Sequence, residues 1–115
     1  MSANQRSRRK LEKTAPIFAA LGDQTRLYLV ARLSAEGPLS IARLTQGGSV
    51  TRQAVTKHLR VLAHAGLAGC SRRGRQSVWE LEPEPLEAAR RCLDGISAQW
   101  DDALGRLKKA VEIAL

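Results

Sequence analysis

Aromatic side chains are scarce in this chain: Phe18, Tyr28, Trp79 and Trp100 are the only ones among 115 residues. Readers of single-stranded RNA stack splayed bases on several exposed rings, so four scattered rings argue against that class. Cysteine is scarcer still, with Cys70 and Cys92 alone, too few for a disulfide framework. A reducing cytosol is the expected compartment. No apolar run approaches the roughly 20 residues needed to span a bilayer, and the polar, basic N-terminus is not followed by the apolar stretch of a signal peptide. The expectation is a cytoplasmic protein with no membrane partner. No Ser, Cys or carboxylate constellation gathers around His58 or His64, so an enzyme is not expected, nor a cofactor.

Acidic residues are missing from one long stretch. The net charge is +8, and it is segregated. Residues 37–79 carry Arg43, Arg52, Lys57, Arg60, Arg72, Arg73 and Arg75 without one carboxylate, whereas residues 80–115 carry eight acids against five bases. Charge that only solubilises has no reason to separate by sign along the chain. A carboxylate-free stretch presents no repulsion to a polyanion, which points to nucleic acid.

The length fits one domain, expected as a basic arm at residues 1–10, either disordered or in contact with phosphate, followed by a single domain over 11–115. A first helix is read at about Leu11–Leu21, with Pro16 near its start or at a bend. Gly22 closes it, Asp23 caps a second helix, and Gly37-Pro38 stops that one. Ser40 caps a short third helix, Gly47-Gly48 breaks it, and Thr51 caps a fourth with Val55, Leu59 and Leu62 at i, i+4 and i+7. Gly66 ends the fourth helix. Strand residues around Arg73-Gly74-Arg75 then read as a hairpin over about 67–81.

A final helix over about 84–114 carries Leu86, Ala89, Leu93, Ile96, Trp100, Leu104, Leu107 and Val111 at spacings of three or four. This seam, roughly 40 Å long at 1.5 Å per residue, exceeds what four short helices can cover, so it is expected to meet a second copy of itself. The fold class expected is mainly α with a small β-hairpin, dimeric through its N- and C-terminal helices. The dimer-interface residues expected are Leu86, Ala89, Leu93, Ile96, Trp100, Leu104 and Leu107.

Helices three and four, over about 40–65, fit a helix-turn-helix whose second member enters the major groove of duplex DNA. Arg52, Gln53, Thr56, Lys57 and Arg60 occupy its polar face. Gln pairs bidentately with adenine, Arg or Lys with guanine, and the Thr methyl meets that of thymine. Arg72, Arg73 and Arg75 at the hairpin tip stand where a wing reaches the flanking minor groove or its phosphates.

With those residues in place the chain resembles the ArsR (ArsR/SmtB) family of bacterial winged-helix transcriptional regulators over about residues 14–86. The resemblance is carried by Ala20-Leu21-Gly22-Asp23-Gln24-Thr25-Arg26-Leu27, by Thr51-Arg52-Gln53-Ala54-Val55-Thr56-Lys57-His58-Leu59-Arg60-Val61-Leu62, by Ala65-Gly66-Leu67 and by Gly74-Arg75. It implies a homodimer whose first and last helices form the interface, gripping a double-stranded operator and usually repressing nearby genes. It also places His58 at the family's recognition-helix histidine, with a role at DNA or at the edge of the core.

Many members of that family release DNA on binding metal. The thiolate site lies on the first helix of the helix-turn-helix, where this chain reads Ser40-Ile41-Ala42-Arg43-Leu44-Thr45-Gln46 with no ligand. The other site needs histidine on the last helix, which offers only Asp94, Asp101 and Asp102, a poor set for zinc. No metal is expected. Cys70 and Cys92 are read either as inert fillers or as thiols that oxidise, or take a soft metal, and release DNA. The competing function is a winged-helix architectural or protein-interaction module that binds nucleic acid by charge alone.

Overall fold

The structure, a computed structural model, describes residues 2–114. Five helices and three short strands follow in the order α1 (Ala3–Leu21), α2 (Gln24–Glu36), β1 (Leu39–Ser40), α3 (Ile41–Thr45), α4 (Arg52–His64), β2 (Ala68–Arg73), β3 (Gln76–Leu81) and α5 (Pro83–Ala114). The strands form one antiparallel sheet in the order β1-β3-β2. Cys70 faces Trp79 in the β2–β3 register, and Leu39 pairs with Trp79 from the other side. This is a winged helix-turn-helix.

Two features differ from the sequence reading. The basic arm expected as a separate segment over residues 1–10 is, over Ala3–Lys10, the opening of α1, which begins well before Leu11. A capping box explains the early start: the Gln5 backbone N–H donates to Ser2 Oγ at 3.2 Å, and the Ser2 N–H donates to Gln5 Oε1 at 3.1 Å. Each bond satisfies a group that a helix end otherwise leaves bare, and Arg, Lys and Gln then propagate the helix well. The second difference is β1, which turns the expected hairpin into a three-stranded sheet. Two residues are too short to show a period of two.

Local chemistry sets the remaining boundaries. Asp23, Ser40 and Thr51 each accept a backbone N–H three residues on, at 3.0, 3.2 and 3.1 Å, which is the N-cap bond. The end of α4 is a Schellman turn: Gly66, at φ +80°, donates to Ala63 O, and Leu67 donates to Leu62 O, both at 2.9 Å. Only glycine takes that left-handed φ without strain. Gly74, at φ +63°, does the same at the first position of the two-residue loop between Arg73 and Gln76.

The core lies where α2, α4 and the sheet meet. Leu29, Leu59, Leu62 and Leu67 are its most deeply buried side chains. A polar tether fixes α4 to the α1–α2 corner beside this core. Arg26 donates through Nε to Ala20 O at 2.6 Å, its Nη1 lies 3.4 Å from His58 Nδ1, and that nitrogen is 3.8 Å from Asp23 Oδ2. The Arg26 backbone N–H holds the Asp23 carboxyl below its ordinary value, helped by the Arg26 and His58 charges.

Because folding lowers the Asp23 value, the unfolded chain takes up the proton first as pH falls. The stability Asp23 contributes is full above the ordinary carboxylate range and is lost as pH drops through its folded value. Asp23→Asn keeps a cap acceptor and cannot titrate. Circular-dichroism melts between about pH 6 and about pH 3 should therefore show a shallower acid decline in melting temperature for this variant than for the parent. Glu36 and Glu87, held low by Arg32 and Arg90 respectively, act equally in both proteins.

Candidate nucleic-acid interface

The apolar edge of α4 decides which way its polar face points. Val55, Leu59 and Leu62 are 2%, 0% and 0% exposed, so the helix cannot turn without drawing charge into the core. Arg52, Gln53, Lys57 and Arg60 are consequently exposed. Thr56 is half-buried, and its hydroxyl donates to Arg52 O at 2.8 Å. That bond uses its one proton, leaving the methyl and the oxygen lone pairs for any base edge. Helix N-termini carry free N–H groups and a positive dipole end, and α4 begins with Arg52 and Gln53 just after its Thr51 cap.

The acids at the two ends of α2 are occupied elsewhere. Glu36 accepts from Arg32 Nε at 2.8 Å and lies 3.8 Å from Arg43 Nη2. Asp23 is held by its cap bond and the His58 tether. His58 is half-buried, with Nδ1 directed at Arg26 and Asp23, so only the other ring nitrogen is left for an outside partner. Arg72, Arg73 and Arg75 are exposed at the β2–β3 tip. Helix and wing thus present two basic surfaces free of carboxylate.

Of the expected interface residues on α5, Ala89 is buried and Leu86 half-buried, beneath the opening of that helix. Beyond them the seam is bare: Leu93 is 51% exposed, Trp100 64% and Leu107 62%, with Ile96 and Leu104 also exposed. Leu11, read from the sequence as the start of the first helix, is not among the named interface residues. This side chain on α1 is 53% exposed and, with Ile96, lines a cavity of about 490 Å³ between α1 and α5. An apolar residue within the strongly basic opening of α1 was the available signal.

Cys92, half-buried, also lines that cavity, whereas Cys70 is exposed on β2. Both are free thiols, and no disulfide joins them. Among the described residues no three His, Cys, Asp or Glu side chains stand together as a metal-holding group, and α3 offers neither thiol nor imidazole. Among the described residues, too, no helix is long and apolar enough to cross a membrane.

The chain matches no family profile. Individual relatives are clear. It is 43% identical over 87 residues to the HTH-type transcriptional regulator Rv2034 of Mycobacterium tuberculosis, an alignment spanning 76% of this chain and 78% of that one. It is 42% identical over 77 residues to the uncharacterized HTH-type transcriptional regulator YuzN of Bacillus subtilis, spanning 62% of this chain and 84% of that one. Among solved structures, an ArsR-like transcriptional regulator from Rhodococcus sp. RHA1 superposes with a TM-score of 0.70 at 33% identity, covering 85% of this chain and 92% of that one. Helix, wing and these relatives agree that the chain belongs to the ArsR family of DNA-binding transcriptional regulators, which are not enzymes.

Proposed function

We propose that two copies of this chain associate through α1 and α5 into a sequence-specific repressor that grips a double-stranded operator with both α4 helices and both wings. The observation that carries this reading is the pairing of two incomplete surfaces on one molecule. One is a carboxylate-free face on α4 and the β2–β3 tip; the other is an apolar seam on α5 that its own chain leaves uncovered. The first needs a polyanion and the second needs an apolar partner. A dimer with two-fold symmetry supplies the second by self-complementarity and places two copies of the first on successive turns of a duplex.

In this arrangement Gln53 and Thr56 read base edges, Arg52, Lys57 and Arg60 meet bases or backbone, and Arg72, Arg73 and Arg75 hold flanking phosphates. His58 sets the depth of α4 through its tether, with its remaining nitrogen toward the DNA. Release proceeds without the family's metal sites, for which the donors on α3 and α5 are unsuited.

The two classes of contact should separate on mutation. Gln53→Ala should cost about 1–3 kcal/mol on the operator and much less on random duplex, so that base preference relaxes. Arg75→Ala should weaken every duplex alike and reduce the slope of log K against log salt by about 0.9. Fluorescence-anisotropy titrations at several salt concentrations measure both. A charge-only binder would lose affinity with Arg75→Ala, alike on all sequences, and almost none with Gln53→Ala on any.

Trp100→Asp places a charge in the centre of the bare seam. Sedimentation velocity should then show the parent as a dimer and the variant as a monomer with poor operator affinity, since one copy spans one half-site. A monomeric variant that binds as tightly as the parent would overturn the dimeric reading.

A further inference from the structure

A groove of about 550 Å³ runs between α1 and α4, within the roughly 300–1,000 Å³ range of small-molecule sites. Its walls are apolar: Pro16 and Ala19 on α1 face Val61 on α4 and Ala65 at its C-cap. Val61 is 40% exposed, an aliphatic side chain that the core does not claim. Its rim has one sign of charge. Lys57 and Arg60 supply it, His64 adds an imidazole beside them, and no lining residue is acidic. They stand three and four residues apart along α4, on the stripe that also carries Val61, so their heads line one side of the opening. Lys and Arg stems add apolar surface below those heads.

We propose that this groove binds a small amphipathic organic anion, with its apolar body against Pro16, Ala19, Val61 and Ala65 and its carboxylate at Lys57, Arg60 and His64. Charge complementarity selects this occupant. An apolar molecule without a head group would leave the basic rim unused, a cationic one would meet repulsion from it, and an inorganic anion would leave the apolar walls wet. The site follows from the groove alone, but its consequence rests on the function proposed above. Lys57 and Arg60 are also offered to DNA, so an anion that engages them withdraws two positive groups from the duplex. Ligand and duplex then weaken each other's binding by the same factor, as linkage requires.

The probe is 4-phenylbutyrate, titrated into the full chain without DNA by calorimetry, with backbone amide shifts recorded by nuclear magnetic resonance. Binding should shift amides in residues 17–20 and 57–65, and should be at least about tenfold weaker for 4-phenylbutanol and 4-phenylbutylamine, a difference of about 1.4 kcal/mol. Ala19→Trp fills the groove away from the DNA-facing residues and should abolish binding. Val61→Glu puts an acid on the wall and should weaken the acid's binding and narrow its preference over the alcohol and the amine. Adding the probe to a chain–duplex complex should lower duplex affinity for the parent and not for Ala19→Trp. Equal affinity for acid, alcohol and amine, or unchanged binding by Ala19→Trp, would overturn the site. So would binding to the Trp100→Asp monomer but not to the parent, because a second copy would then occupy the groove. Binding in the groove without an effect on a duplex that the parent does bind would refute the coupling. A parent that binds the probe but no duplex would contradict the DNA reading and leave the site standing.

Discussion

The burial of Val55, Leu59 and Leu62 along one edge of α4 is the constraint on which the rest of the molecule depends. Each such side chain contributes about 1.5–3 kcal/mol when removed from water. Turning the helix by half a revolution would forfeit that and draw Arg52, Lys57 and Arg60 into an apolar core, where an unpaired charge costs far more. The core therefore fixes the outward face of α4, and the Schellman turn at Gly66 fixes where the wing departs. The Arg26–His58–Asp23 tether then holds the helix against the α1–α2 corner. Recognition chemistry in this chain is a by-product of hydrophobic packing on the opposite side of the same helix.

A second constraint is one the single chain does not meet. The 32 residues of α5 extend about 48 Å at 1.5 Å per residue, whereas the cavity it shares with α1 reaches no further along it than Gln99. The apolar side chains from Leu93 to Val111 remain in solvent, a contiguous patch of the kind that marks an interaction surface. The dimer proposed above would lay a second apolar surface along it, matching the length of the helix and the spacing of its apolar residues. In the proposed complex the acidic balance of residues 80–115 would keep this end of the molecule away from the polyanion.

Much of this was legible in the sequence because the signals were local and redundant. The amphipathic spacing of α4, its Thr51 cap and the glycine at its end all specify the same element, and Gly74 between strand residues specifies the hairpin. The helical state of Ala3–Lys10 was hidden because charged residues suit an arm and a helix equally, and the deciding Ser2–Gln5 capping box stands at the extreme end of the chain. Strand β1 was hidden because Leu39-Ser40 extends only through its pairing with Val78 and Trp79, a contact nearly 40 residues distant in sequence. The role of His58 in tethering α4 and the apolar groove beside Val61 were hidden for the same reason. Each is made by residues on separate helices, and no spacing within one element announces it.

Hydroxyl-radical footprinting of the purified protein on the DNA upstream of its own gene tests the central claim most directly, since it reports geometry and sequence preference together. Two clasped copies with both α4 helices in the major groove should protect two short blocks on one face of the duplex, centred about 10–10.5 base pairs apart or a multiple of that. The pattern should persist in an excess of random duplex. Protection that is diffuse, shows no helical phase and vanishes with random competitor would show that charge alone holds the protein to DNA.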